Sequence, residues 1–394
     1  MKLFNISVSV VSLSIVLLLG ACKYEDSRSD SSDSEISNET RASLGKKLFN
    51  DVSLSKDGTQ SCASCHDSDH AFIDPRQNLT SVDGASPGAV STGQDDMSLG
   101  DINTPSAAYT AFVPEFHFDS GEALFKGGLF LNGRASNLVE QATQPFLNPV
   151  EMQNTMENVV ASVQGKYADS MKSLYGENIF ATTEAAFDAI ADSIAAFERT
   201  EEFATFDSKF DKVLRGEAAF TDQEQRGLNL FIDEDKGNCA ACHPVPDIDS
   251  KKEDSLFTDF SYDNLGVPKN ELVRTQNGME KGYVDIGLLD NPAVDDSALK
   301  GAFRVTGLRN VAVTAPYMHN GVFRNLETVV EFYNSRDVLL AKNPETDDLW
   351  KKAEIDSTKN KDELGRLRLS DTEINDIVAF LKTLTDEKYE HLIP

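Results

Sequence analysis

Cys62-Ala63-Ser64-Cys65-His66 and Cys239-Ala240-Ala241-Cys242-His243 decide how this chain is read. C-x-x-C-H is the attachment signature of c-type haem: the two thiols add to the porphyrin vinyl groups, and the adjacent histidine binds the iron from one face. A zinc site would need a second ligand pair at metal spacing, and beyond His70 no further Cys or His follows closely enough. A thioredoxin-like site expects a βαβ context and leaves the histidine unexplained. One such motif can arise by chance; two with the same lead-in point to two covalent haems, with His66 and His243 as proximal iron ligands.

Four of the five cysteines are thereby used, and Cys22 remains. It closes Leu19-Gly20-Ala21-Cys22, after Lys2 and an apolar run from Val8 to Leu19. A basic start, a short apolar core and small residues before the cleavage point describe a secretory leader rather than a membrane span. The ending resembles a lipobox, which implies cleavage after residue 21 and lipidation of Cys22; the plainer alternative is an ordinary leader in which Cys22 is incidental. We take the lipobox reading, which places the protein in the periplasm, anchored to a membrane by lipid. Residues 22–40 are rich in Ser, Asp and Glu and read as a flexible tether.

The remaining roughly 350 residues suffice for two domains with cores of their own. Net charge is −28, from 37 basic and 65 acidic residues, which argues against nucleic acid and against electrostatic adhesion to anionic lipid. It permits steering of a cationic partner, although solubility alone accounts for it.

The haem motifs lie inside a weak internal duplication. Leu44-Gly45-Lys46-Lys47-Leu48-Phe49 precedes the first, and Arg226-Gly227-Leu228-Asn229-Leu230-Phe231 the second. Each half closes on an amphipathic helix, marked by Ile190, Ile194, Ala195 and Phe197 in one and by Ile374, Ile377, Val378 and Leu381 in the other. Ser370 with Glu373 makes a capping box at the start of the last helix. Helix, C-x-x-C-H, irregular wrap and closing helix is how a cytochrome c domain encloses its cofactor. The expected fold is mainly α: two cytochrome c-like domains, 41–205 and 206–394, joined near Phe206 to Gly216, with few strands and long irregular loops.

Further motifs, in order, resemble the bacterial di-haem cytochrome c peroxidase and MauG family. These are Asn103-Thr104-Pro105-Ser106, Gly133-Arg134 followed by Leu138-Val139-Glu140-Gln141-Ala142, and Asn148-Pro149-Val150-Glu151-Met152. The second half adds Leu308-Arg309-Asn310-Val311 with Thr314-Ala315-Pro316-Tyr317-Met318-His319-Asn320-Gly321. The resemblance implies that the first haem reacts with peroxide and the second transfers electrons. It places Gln141 and Glu151 in the distal pocket of the first haem, Glu151 to move a proton between the peroxide oxygens and Gln141 to hold the bound molecule. It also implies a calcium ion held by the Asn103 side chain and the carbonyls of Thr314 and Pro316; Asn103 as a turn cap before Pro105 is the alternative.

Departures from the pattern carry as much meaning. The standard peroxidases cap the first iron with a distal histidine ahead of the N-x-P motif, and no His lies between His70 and Asn103. His70 is too close to His66 to reach the opposite face and is expected at a propionate or loop contact. The first haem is therefore expected to be open without reductive activation. The sixth-ligand position of the second haem falls on Tyr333, as in MauG-type proteins, with Met318 as the rival and His319 as an inter-haem or propionate contact. Tyr333 also shares a helix face with Leu326, Val329 and Val330, so a plain core tyrosine is the alternative. The family's inter-haem Trp is replaced by Leu131, and the only Trp is Trp350; Tyr109, Phe130 and Tyr317 are the aromatic substitutes on offer.

The implied function is a peroxidase that reduces H2O2 with electrons from a small periplasmic donor, a cytochrome c or cupredoxin. A MauG-type oxidase that uses a ferryl haem to modify a partner protein is the second reading, and a non-catalytic di-haem electron carrier the third. The resemblance adds a homodimer as a candidate assembly.

Overall fold

The computed structural model describes residues 31–279 and 282–394. The leader over 1–21, Cys22 and the first part of the tether lie outside the described residues. The helices are α1 (Ser31–Phe49), α2 (Cys62–Cys65), α3 (Leu138–Leu147), α4 (Met156–Tyr175), α5 (Thr183–Glu198), α6 (Lys209–Leu214), α7 (Asp222–Ile232), α8 (Glu271–Gln276), α9 (Leu326–Ser335) and α10 (Asp371–Lys382). Strands among the described residues form two short antiparallel pairs. β1 (His117–Asp119) runs against β2 (Leu124–Lys126), with His117 opposite Lys126. β3 (Tyr262–Asp263) runs against β4 (Phe303–Arg304), with Tyr262 opposite Arg304. The fold is mainly helical, with long irregular connections, as the sequence predicts.

Two segments carry more helix than their sequence suggests. The tether was expected to stay unstructured to residue 40, yet α1 begins at Ser31. Leu44, Leu48 and Phe49 anchor the buried end of this helix, and extending an existing helix costs far less than nucleating one. The joint expected at 206–216 contains α6. Ser208 and Asp211 form a capping box there, and Phe210 is 2% exposed, packed into the second core.

Each half is built on one helix pair, α1 with α5 and α7 with α10. Gly45 and Gly227 allow the close approach. A Cβ on Gly45 would collide with the Ser193 carbonyl oxygen and come within 2.9 Å of Phe197 Cβ. A Cβ on Gly227 would collide with the Asp376 carbonyl and reach Phe380 Cβ at the same distance. One turn on, Phe49 meets Phe197 edge-on at 5.4 Å, and Phe231 meets Phe380 at 5.2 Å. The duplication suspected from two Gly-x-x-x-Phe segments is thus repeated in the packing, although neither sequence half resembles the other strongly. The predicted apolar face of α5 is buried at Ile190, Ile194, Ala195 and Phe197, and that of α10 at Ile374, Ile377, Val378 and Leu381. The Ser370–Glu373 capping box is present.

One apolar core draws on residues from Leu44 to Phe203 and another on residues from Phe210 to Leu384. The halves interlock across their junction. The Asn103 amide donates to the His319 carbonyl at 2.7 Å, the Tyr262 hydroxyl to the Gly127 carbonyl at 2.6 Å, and the Tyr109 hydroxyl to Asp386 at 2.6 Å.

Candidate haem sites

The two motif histidines are held alike. His66 Nδ1 lies 3.0 Å from the Phe72 carbonyl oxygen, and His243 Nδ1 lies 2.7 Å from that of Phe257. A carbonyl only accepts, so Nδ1 carries the proton and Nε2 is left as the lone-pair nitrogen, the arrangement that orients a metal-binding imidazole. Burial lowers both imidazole pKa values, which keeps the rings neutral. Phe72 and Phe257 both adopt left-handed backbone, each at φ 56°, which turns their carbonyls toward the rings. Burial raises the Cys65, Cys239 and Cys242 thiols to about 12. Cys65 Sγ also accepts from Arg76 Nη2 at 3.1 Å. His70 bonds Asp67 Oδ2 at 3.1 Å, a loop contact.

In the first half, α3 and the turn after it carry Gln141 and Glu151. Asn137 caps α3 by accepting from the Val139 and Glu140 amides. Asn148 then builds the turn: its Oδ1 accepts from the Val150 amide at 3.0 Å, and its carbonyl from that of Glu151 at 3.1 Å. The loop at Gly93-Gln94 clamps the turn from outside, with Gln94 N–H on the Glu151 carbonyl at 2.8 Å. Glu151 Oε1 accepts from the Asn148 side-chain amide. Burial raises the Glu151 carboxyl, against the opposing pull of Arg134 and Asn148. The same carboxyl adds a little to the upward shift of both the Cys62 and Cys65 thiols. Gln141 is half-buried, and its side-chain amide makes no hydrogen bond to the described residues.

The second motif opens on a cavity of about 350 Å³. Cys239, Cys242, His243, Met318 and Tyr333 all line it, among apolar residues of α9 and α10. The predicted face of α9, Leu326, Val329, Val330 and Tyr333, is the face turned to this cavity. Burial, with the nearby Cys239 and Cys242, raises the Tyr333 phenol. Two tethering thiols, a neutral imidazole with Nε2 available and an apolar lining fit a haem c, and the first motif repeats the thiols and the imidazole. His319 stacks on Phe303 at 3.8 Å, and its buried Nε2 has no partner among the described residues. Burial and then Arg274 lower it to about 3.

Between the halves, Asn103, Thr314 and Pro316 line the same cavity, and Asn103 Nδ2 lies 2.6 Å from the Pro316 carbonyl. An amide flip would turn Oδ1 to that point, where a cation could share it with the carbonyl. Leu131, Tyr109 and Tyr317 line the cavity too. Phe130 instead lies under the Arg134 guanidinium at 3.6 Å. Trp350 packs against Phe323 and Phe332 and donates to Ser335.

Several contributors escaped sequence reasoning. The carbonyls of Phe72 and Phe257 stand six and fourteen residues after their histidines, so unequal spacing hid their equivalence. Glu198 is 6% exposed, its Oε2 has no partner among the described residues, and burial raises it to about 8.

A model of the di-haem cytochrome c peroxidase family matches residues 39–219. The chain is 44% identical to the methylamine utilization protein MauG of Paracoccus denitrificans, over 89% of this chain and 90% of that one. It is 32% identical to the cytochrome c551 peroxidase of Nitrosomonas europaea, over 91% and 83%. Among solved structures, the dihaem peroxidase BthA of Burkholderia thailandensis superposes with a TM-score of 0.79 at 33% identity, covering 90% of this chain and 88% of its own. The chain belongs to the di-haem cytochrome c peroxidase and MauG family of oxidoreductases.

Proposed function

We propose that this protein is a periplasmic di-haem c peroxidase of the MauG-like branch, reducing H2O2 to water with electrons from a small redox protein. Haem would be attached at Cys62 and Cys65 in the unit 41–205, and at Cys239 and Cys242 in the unit 206–394. The observation that supports this most is Glu151: a half-buried carboxyl with a raised pKa, fixed by Asn148 in the turn after α3, while residues 71–102 contain no histidine to cap the iron.

When bound, a haem held by Cys62, Cys65 and His66 would supply the redox chemistry of peroxide reduction. Glu151 then accepts the proton of the near peroxide oxygen and delivers it to the far one, which leaves as water. Asn148 holds the carboxylate in one orientation for both transfers. Gln141, one helix turn into α3, offers both a donor and an acceptor to the bound peroxide. The test is H2O2-dependent oxidation of a reduced small cytochrome c by the haem-loaded protein. Sustained turnover supports the peroxidase. Slow donor oxidation with a long-lived oxidised state would favour MauG-type modification of a partner protein, the reading that the likeness to the Paracoccus protein supports.

Tyr333 is proposed as the sixth ligand of the second haem. Tyr333→Phe is then expected to change the second haem's absorption spectrum and raise its potential, because a phenolate stabilises the oxidised iron. If Met318→Leu changes the spectrum and Tyr333→Phe does not, the methionine is the ligand instead. Calcium at Asn103, Thr314 and Pro316 predicts that exhaustive chelation alters the haem spectra and that added Ca²⁺ restores them; no response to chelation counts against that site.

A further inference from the structure

Tyr109 lies between the backbone segments that hold the two proximal histidines, and the chemistry above makes no use of it. It is 5% exposed and holds left-handed backbone at φ 64°, a costly conformation for a residue with a large side chain. Its hydroxyl donates to Asp386 Oδ1 at 2.6 Å and accepts the Phe206 amide at 3.1 Å. Asp386 is 2% exposed, and its other oxygen accepts from Asn310 Nδ2 at 2.7 Å. Asn310 occupies the corresponding left-handed turn of the second half, at φ 62°.

The route between the two segments is hydrogen-bonded on one side of Tyr109 and runs through packed side chains on the other. The Phe72 carbonyl that holds His66 also accepts the Ala107 amide at 3.2 Å, two residues before Tyr109. On the other side, Tyr109 packs in one cluster with Leu256, the neighbour of Phe257, whose carbonyl holds His243. Leu131, by contrast, brings only an aliphatic side chain to the cavity between the halves.

We propose that Tyr109 and Asp386 form a proton-coupled relay that passes single electrons between the two haems. The proposal rests on the peroxidase reading above. Tyr109 gives one electron to the peroxide-oxidised first haem and its phenolic proton to Asp386, leaving a neutral phenoxyl at 109 and a carboxylic acid at 386. Tyr109 then takes one electron from the second haem and recovers its proton from Asp386. The net transfer is one electron from the second haem to the first, and both side chains return to their starting state. The Arg309 guanidinium lies 5.1 Å from the Tyr109 ring, and Lys or Arg charge there disfavours a ring that keeps its proton as a radical cation. Burial raises both the phenol and the carboxyl, so the phenol enters protonated and Asp386 is a stronger base than an exposed aspartate.

The experiment uses the haem-loaded protein, with Tyr109→Phe and Asp386→Asn beside it. H2O2 is mixed with the form in which the second haem alone is reduced. Stopped-flow absorbance follows each haem, and freeze-quenched samples with ring-deuterated tyrosine are read by EPR. The relay predicts an unchanged first-haem reaction in all three proteins. Oxidation of the second haem slows by about tenfold or more in both variants, the scale of one lost hydrogen bond to a buried charge. It also predicts an organic radical whose line shape responds to deuteration and which is lost in Tyr109→Phe. A first-haem reaction with an unchanged inter-haem rate in Tyr109→Phe overturns the relay alone. A wild type that does not react with peroxide at the first haem overturns the peroxidase reading and the relay with it.

Discussion

Glu151→Gln is expected to slow the reaction of H2O2 at the first haem by about a hundred- to ten-thousand-fold, the range over which a positioned acid–base group acts. Glutamine keeps the volume and an acceptor oxygen for Asn148, so the turn at 148–152 should survive. What it loses is the capacity to take a proton and return it. The resting spectrum and the covalent haem content should therefore match the wild type, which separates this outcome from misfolding. The pH profile gives a second readout. Glu151 must be deprotonated to accept the first proton, so the rate falls as pH drops through its pKa. Burial raises that pKa, and the acid limb should lie above the ordinary glutamate value and disappear in Glu151→Gln. A loss smaller than about threefold would remove Glu151 from the proton transfer, since no general acid–base role is that weak.

Gly227→Ala is expected to destabilise the second half strongly. The new Cβ meets the Asp376 carbonyl oxygen, a backbone atom that no rotamer change can move aside. Overpacking of this kind costs about 1–3 kcal/mol and sometimes more. At roughly 2–4 °C per kcal/mol for a domain of this size, the midpoint should fall by several degrees to roughly 10 °C. Gly45→Ala should act alike against Ser193 in the first half. Gly165→Ala is the control: it lies within α4 with nothing near its missing Cβ, and alanine there should be neutral or stabilise by up to about 1 kcal/mol. Calorimetry of the haem-loaded variants reads all three. Equal midpoints for Gly227→Ala and the wild type would show that α7 and α10 do not pack as described.

What was legible in the sequence was what short-range chemistry encodes. Each C-x-x-C-H lies within five residues, the faces of α5 and α10 follow helical periodicity, and the Ser370–Glu373 box spans a single turn. The Gly45 and Gly227 lead-ins carried the duplication because only glycine tolerates that approach. The rest depends on contacts distant in sequence or on backbone geometry. Nothing in residues 31–40 announces a helix; they are helical because they continue one already docked. Phe210 at the joint shows its role only once its partners Phe257 and Phe380 are known. Tyr109 was a candidate by residue type, but its bond to Asp386 crosses 277 positions. The carbonyls of Phe72 and Phe257 belong to backbone, which sequence motifs do not mark. Tyr333, Met318 and His319 were all named beforehand, and the structure brings all three to one cavity.

The central claim is that the first haem is open to peroxide in the resting, fully oxidised protein. The most direct test is to mix the fully ferric, haem-loaded protein with H2O2 in a stopped-flow spectrometer, with no reductant present at any stage. An open first iron gives a high-spin ferric signal before mixing and a fast, peroxide-dependent spectral change after it. A purely low-spin resting spectrum with no reaction until the second haem is reduced would show that a protein ligand caps the first iron, and would contradict the claim.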